Sequence, residues 1–88
     1  MPYTVREFHN TPNPNALKCV LDRSMGDGMR SYFNAGQAAG DAVASRLFAI
    51  DGVTNVLIHG DWLTVSKRAD AAWGPIRTAV ERVLRGVE

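Results

Sequence analysis

Two apolar runs, Val56-Leu57-Ile58-His59 and Trp62-Leu63-Thr64-Val65, flank the dipeptide Gly60-Asp61. A two-residue connection with glycine first is the signature of a type II′ β-hairpin, and it leaves no freedom of register. His59 must face Trp62, Ile58 must face Leu63, Leu57 must face Thr64, and Val56 must face Val65. Alternation then sorts the side chains. Val56, Ile58, Leu63 and Val65 share one face, the better candidate for the core, while Leu57, His59, Trp62 and Thr64 share the other. A lone hairpin is marginal in water, so the chain must supply further strands and a cover.

It does. Tyr3 to His9 is rich in β-branched and aromatic residues and reads as a strand. Phe8 has the opposite parity to Tyr3 and Val5, which leaves the inward face open; a bulge would reconcile them. Two prolines in Asn10-Thr11-Pro12-Asn13-Pro14-Asn15 exclude helix and central strand, so this is a stiff loop. Ala16 to Asp22 is a second strand, with Leu17, Cys19 and Leu21 on one face. Residues 24–40 carry four glycines and read as loop, with a short strand around Arg30 to Phe33. Asp41 is a good N-cap for a helix through Ile50, with Val43, Leu47, Phe48 and Ile50 on its apolar side and Gly52 just past its end. The last segment, Asp70 to Val87, places Trp73, Ile76, Val80, Val83 and Val87 in one stripe. Asp70 can cap it, or Pro75 can mark a later start near Gly74. The order β-β-(β)-α-β-β-α implies an α+β two-layer sandwich: an antiparallel sheet of four to five strands with two helices on one face.

Length and charge narrow the function. Eighty-eight residues make one domain, 1–88. Ten basic residues against nine acidic ones leave a net charge of +1, without the basic excess that phosphate binding demands, so nucleic acid is not the expected partner. No apolar run approaches the ~20 residues of a membrane span, and the N-terminus lacks the features of a secretory signal. The expectation is a cytoplasmic protein without a membrane partner. A single cysteine allows no internal disulfide, and with two distant histidines it forms no CxxC pair and no recognisable zinc or iron–sulfur ligand set. No nucleophile has an adjacent base and no carboxylates pair at a recognisable spacing, so no enzyme is expected.

The run Thr11-Pro12-Asn13-Pro14-Asn15-Ala16-Leu17-Lys18 resembles the TPNPNALK signature of the N-terminal domain of Nfu/NifU-type iron–sulfur scaffold proteins. Leu47-Phe48-Ala49-Ile50-Asp51-Gly52-Val53 is similar to that family's LF-x-I-x-GV, Asp61 to Lys67 to its DFITVTK, and Trp73 to a tryptophan near the start of its last helix. The resemblance covers nearly the whole chain, in order. Cys19 stands where the family commonly has an aromatic, and Asp41-Ala42-Val43-Ala44 where it commonly has SPLA; both keep the physical role. In full-length members a CxxC in a separate C-terminal domain holds the cluster, and these 88 residues contain none. The resemblance therefore implies a non-catalytic accessory or docking domain in iron–sulfur cluster assembly. It would act as a monomer or weak homodimer, hold no cofactor firmly, and contact iron or a cluster only in transit.

Candidate site residues follow. Leu57, His59, Trp62 and Thr64 would bind an assembly protein or apo-target if the sheet is covered on one side only. Thr11, Asn13 and Asn15 in the stiff loop would offer preorganised polar groups, or simply set the turn. Arg77, Arg82 and Arg85 make a basic helix flank, an anion site or an ordinary solvated face. Cys19, between Leu17 and Leu21, reads as a buried core residue; the alternative is an iron or cluster ligand shared across a homodimer.

Overall fold

The computed structural model describes residues 3–26 and 28–86. The elements are β1 (Val5–Asn10), β2 (Ala16–Leu21), β3 (Met29–Tyr32), α1 (Ala42–Phe48), β4 (Val53–His59), β5 (Trp62–Lys67) and α2 (Trp73–Arg85). The strands form one antiparallel sheet in the order β1-β2-β5-β4-β3. The α+β class and the element order expected from the sequence both hold.

The β4–β5 hairpin has the register its turn dictates, with His59 opposite Trp62, Ile58 opposite Leu63, Leu57 opposite Thr64 and Val56 opposite Val65. Gly60 has φ +59, and Asp61 does not follow it into positive φ. That is the II′ pattern, which needs glycine at its first central position only. Val56, Ile58, Leu63 and Val65 are buried, and they meet Cys19 and Leu21 of β2, Ala44 and Leu47 of α1, and Ile76, Val80 and Leu84 of α2 in one core. In β1 the register shifts between Val5 and Glu7. The bulge turns both Val5 and Phe8 onto the core, which resolves their conflicting parity.

Several boundaries differ from expectation. α1 ends at Phe48 rather than Ile50, and Ala49 caps it in ordinary right-handed geometry. Gly52, at φ +97, serves the tight entry into β4 instead: Val53 N–H reaches Ile50 O at 3.2 Å and Arg68 N–H reaches Gly52 O at 2.8 Å. Asp70 does not cap α2. Its carboxylate accepts from Arg68 Nε at 3.3 Å, and the helix starts from Ala72 without a side-chain cap. Pro75 is the third helical residue, inside the first turn, where no N–H has an intrahelical partner to lose. The fully buried face of α2 is Ile76, Val80 and Leu84, with Trp73 and Val83 half-buried on its flanks. The alternating three- and four-residue steps of the sequence stripe place Val83 after Val80; in the helix the steps from Ile76 are both of four residues and select Leu84. Val87 lies outside the described residues.

Candidate functional site

Both helices pack on one side of the sheet, so the strand register assigns the other side directly. Glu7, Val20, Trp62, His59 and Met29 lie in one row across all five strands. His9, Lys18, Thr64, Leu57 and Ser31 form the next row. Trp62 is the centrepiece. Its ring lies 5.4 Å from that of His59, tilted by 33°, and Lys18 Nζ stands 4.8 Å from the indole centroid. A cation over an indole face is attracted by the ring quadrupole, so Lys18 and His59 hold Trp62 between them. Trp62, Leu57 and Thr64 are half-buried and His59 is exposed. At the near end of the loop after β2, Met25 N–H donates to Gly60 O at 2.7 Å while its side chain packs on the core. That contact ties the loop to the hairpin tip.

The loop between β1 and β2 is tied by its own polar groups. The one Thr11 hydroxyl proton is shared between the carbonyls of Asn13 (2.8 Å) and Ala16 (3.0 Å), and Oγ1 accepts from Asn13 N–H (3.2 Å). Asn13 Oδ1 accepts from Asn15 N–H at 2.9 Å, and Lys67 Nζ donates to Asn15 Oδ1 at 3.1 Å. Trp73 Nε1 then pins the loop to α2 through Pro14 O at 3.0 Å. The signature residues therefore build the turn first, as polar loop residues between strands commonly do. Four steps along β2 take the chain from Ala16 at the loop to Val20 beside Trp62, roughly 13 Å of strand. The sheet-face residues and the loop residues therefore occupy two separate places.

The family described as scaffold protein Nfu/NifU N terminal matches residues 6–87. The chain belongs to the Nfu/NifU N-terminal family. Its relatives include the mitochondrial NFU1 iron-sulfur cluster scaffold homolog of Drosophila virilis, 36% identical over 80 residues, and the mitochondrial NifU-like protein 5 of Arabidopsis thaliana, 30% identical over 79. Each match covers 89% of this chain but only 27% and 29% of the relative, so the chain spans little more than a quarter of their length. Protein SAV1430 of Staphylococcus aureus, 26% identical, superposes with a TM-score of 0.78 over 91% of this chain and 96% of its own.

In this Nfu N-terminal domain the chemistry of Cys19 is that of a core residue. Its side chain is 0% exposed, and burial, with the Glu81 carboxylate adding to it, pushes the thiol up to about 12 against a smaller opposing pull from Arg77. A cluster or iron needs thiolates or a converging donor set. Cys19 is a buried neutral thiol, and among the described residues no three His, Cys, Asp or Glu side chains converge. The residues present do not fit such a group.

Arg77, Arg82 and Arg85, an anion site or an ordinary solvated face by the sequence, are all exposed on α2. Arg77 lies 5.9 Å from the Phe8 ring centroid, Arg85 Nε donates back to Glu81 O at 3.4 Å, and Arg82 points about 140° around the helix from Arg77. A polar knot not anticipated from the sequence lies at the β3 edge of the sheet. Asp41 Oδ1 caps α1 through Val43 and Ala44 N–H, each at 3.1 Å, while Oδ2 accepts from Arg30 Nη1 at 2.6 Å and Tyr32 OH at 2.9 Å. Arg30 also donates to Met25 O at 3.1 Å. Alternation along β3 would have put Arg30 and Tyr32 on the helix side, had that strand's bounds been known.

Proposed function

We propose that this domain is a non-catalytic docking module in iron–sulfur cluster assembly, which binds an assembly protein or apo-target through the open sheet face centred on Trp62. The single observation that carries this reading is the fixed Trp62, half-exposed between Lys18 and His59 on the face that neither helix covers. Interface anchors are typically such aromatics, large in area and low in the entropy lost on binding. Leu57 and Thr64 extend the contact, and the Thr11–Asn15 loop offers a second, independent one. The relatives bear the name of iron–sulfur cluster scaffolds, which supplies the process. Iron or a cluster is then cargo on the partner rather than a group held here, since Cys19 and its surroundings offer no ligand set.

The test is an NMR titration of the labelled domain with cluster-assembly proteins and apo-targets. The expected outcome is a shift of the Trp62 indole and of the Lys18, Leu57, His59 and Thr64 amides with at least one of them. No shift of Trp62 with any partner overturns the docking face. Anaerobic reconstitution of the isolated domain tests the other half: a stoichiometric coloured cluster that survives gel filtration overturns the assignment of the metal to the partner.

A further inference from the structure

The two edges of the sheet differ in how they are defended. β1 carries its bulge between Val5 and Glu7 and exposes Arg6, Glu7 and His9, features that discourage another strand from pairing. β3 has neither. Its one charged side chain, Arg30, turns to the helix side, where Asp41 and Met25 O hold it. Toward the open face β3 presents Met29 and Ser31; just past its end Phe33 lies beside Leu57 and Thr64 of the same face, its N–H held by Gln37 Oε1 at 2.7 Å, a bond that pairing at this position must displace. Met29 and Phe33 are 65% and 66% exposed and are the only exposed large apolar side chains among the described residues. They stand two positions either side of Ser31.

That symmetry identifies the occupant. If β3 pairs antiparallel with β3 of a second copy, centred on Ser31, Met29 of each copy comes opposite Phe33 of the other on the same face. Both exposed groups are covered at once, and the same patch serves both subunits, as a two-fold interface requires. We propose that β3 is a homodimerisation edge that joins two five-stranded sheets into one ten-stranded sheet about an axis at Ser31. A net charge of +1 opposes this little. The axis runs perpendicular to the sheet, so both Trp62 faces stay on the same side. With a four-residue strand at its centre the interface is small, and the dimer is of the transient kind. The inference does not depend on what Trp62 binds.

Cysteine cross-linking tests it. Directly opposed residues have Cα atoms about 4.5–5.5 Å apart, within disulfide range, and Cys19 is too buried to contribute. Ser31→Cys is expected to give a covalent dimer on mild oxidation, while Arg6→Cys on β1 stays monomeric. Adding Met29→Lys and Phe33→Lys, both at exposed positions, should slow the Ser31→Cys cross-link by about tenfold or more, because two apolar pairs are lost and four lysines are brought together. Sedimentation of the unmodified chain should show dimer increasing with concentration. Cross-linking of Ser31→Cys no faster than of Arg6→Cys, or unchanged by the lysines, overturns the proposal.

Discussion

Trp62 is the residue on which binding and stability separate most cleanly. It contributes a cross-strand contact and a cation–π contact to the fold, together worth about 1–2 kcal/mol at a half-exposed position. As an interface anchor it should contribute 2 kcal/mol or more, about thirtyfold in affinity. Trp62→Ala should therefore melt only modestly lower while its partner titration weakens at least tenfold; equal affinity in both proteins would remove Trp62 as the anchor. Cys19 makes the opposite case, with no surface role and a clear effect on stability. Its thiol is raised from 9.0 to about 12 in the folded chain, so between those values the unfolded chain holds fewer protons. Stability is then complete below pH 9 and falls by about 1.4 kcal/mol per pH unit above it. Tyr32, raised by burial and by its hydrogen bond to Asp41, adds a fall of the same sign. Denaturant melts from pH 8 to 11 should show the decline, and Cys19→Ala should lessen its slope while lowering stability at pH 8. An unchanged slope would show that the thiol titrates as freely in the fold as out of it. The burial of Cys19 was legible from its two leucine neighbours, and the opposition of His59 and Trp62 from loop length alone. The Lys18–Trp62 contact was not, because it depends on β2 lying next to β5, a pairing no local pattern specifies.

At the scale of elements, the joints between α1 and the strands are the sensitive points. Asp41 satisfies two helix N–H groups and two side chains of β3 with a single carboxylate. Asp41→Ala loses the cap, at about 0.5–2 kcal/mol, and leaves Arg30 and Tyr32 without their shared acceptor. Solvent still reaches Arg30, which limits that second loss, so a total near 2–3 kcal/mol is expected. At about 4–8 °C per kcal/mol, the melting temperature should drop by at least 8 °C. Amide exchange should rise across both α1 and β3; an increase confined to α1 would show that the β3 contacts carry no weight. Gly52 is sensitive for a different reason. A Cβ there would stand 3.0 Å from Ala71 Cβ and 3.4 Å from Ile76 Cδ1, on a backbone at φ +97. Gly52→Ala thus combines a strained backbone with a crowded core and should cost about 2–4 kcal/mol in a denaturant melt. A loss below 1 kcal/mol would mean that the β4 entry relaxes without effort. The sequence located both residues but assigned Gly52 to the helix end, since helix stop signals are local and the real constraint is the approach of Ala71, nineteen positions later.

The whole molecule depends on one long-range seam and one closing contact. Within the sheet the N-terminal hairpin β1–β2 joins the C-terminal hairpin β4–β5 through β2–β5, so the two halves of the chain share a sheet and a core. α2 lies across that core, and Tyr3 N–H donates to Leu84 O at 2.9 Å, which binds the start of the described chain to the last turn of the helix. Leu84 is fully buried there, whereas Val83 next to it is half-buried. A domain of this size has roughly 4–13 kcal/mol of stability in total. Leu84→Ala should remove 2–5 kcal/mol of it, and Val83→Ala about 1 kcal/mol. Adjacent residues on one helix thus give unequal losses, and the difference measures the phase in which α2 sits on the sheet. Chemical denaturation of both variants is the check. Because the seam couples the halves, each should still unfold in a single transition, with its midpoint lowered and its slope unchanged. Equal losses would rotate α2 toward the phase in which Val83 joins the stripe with Ile76 and Val80. A second transition in Leu84→Ala would show the N-terminal hairpin detaching on its own, and the β2–β5 pairing would then be too weak to make this one cooperative domain.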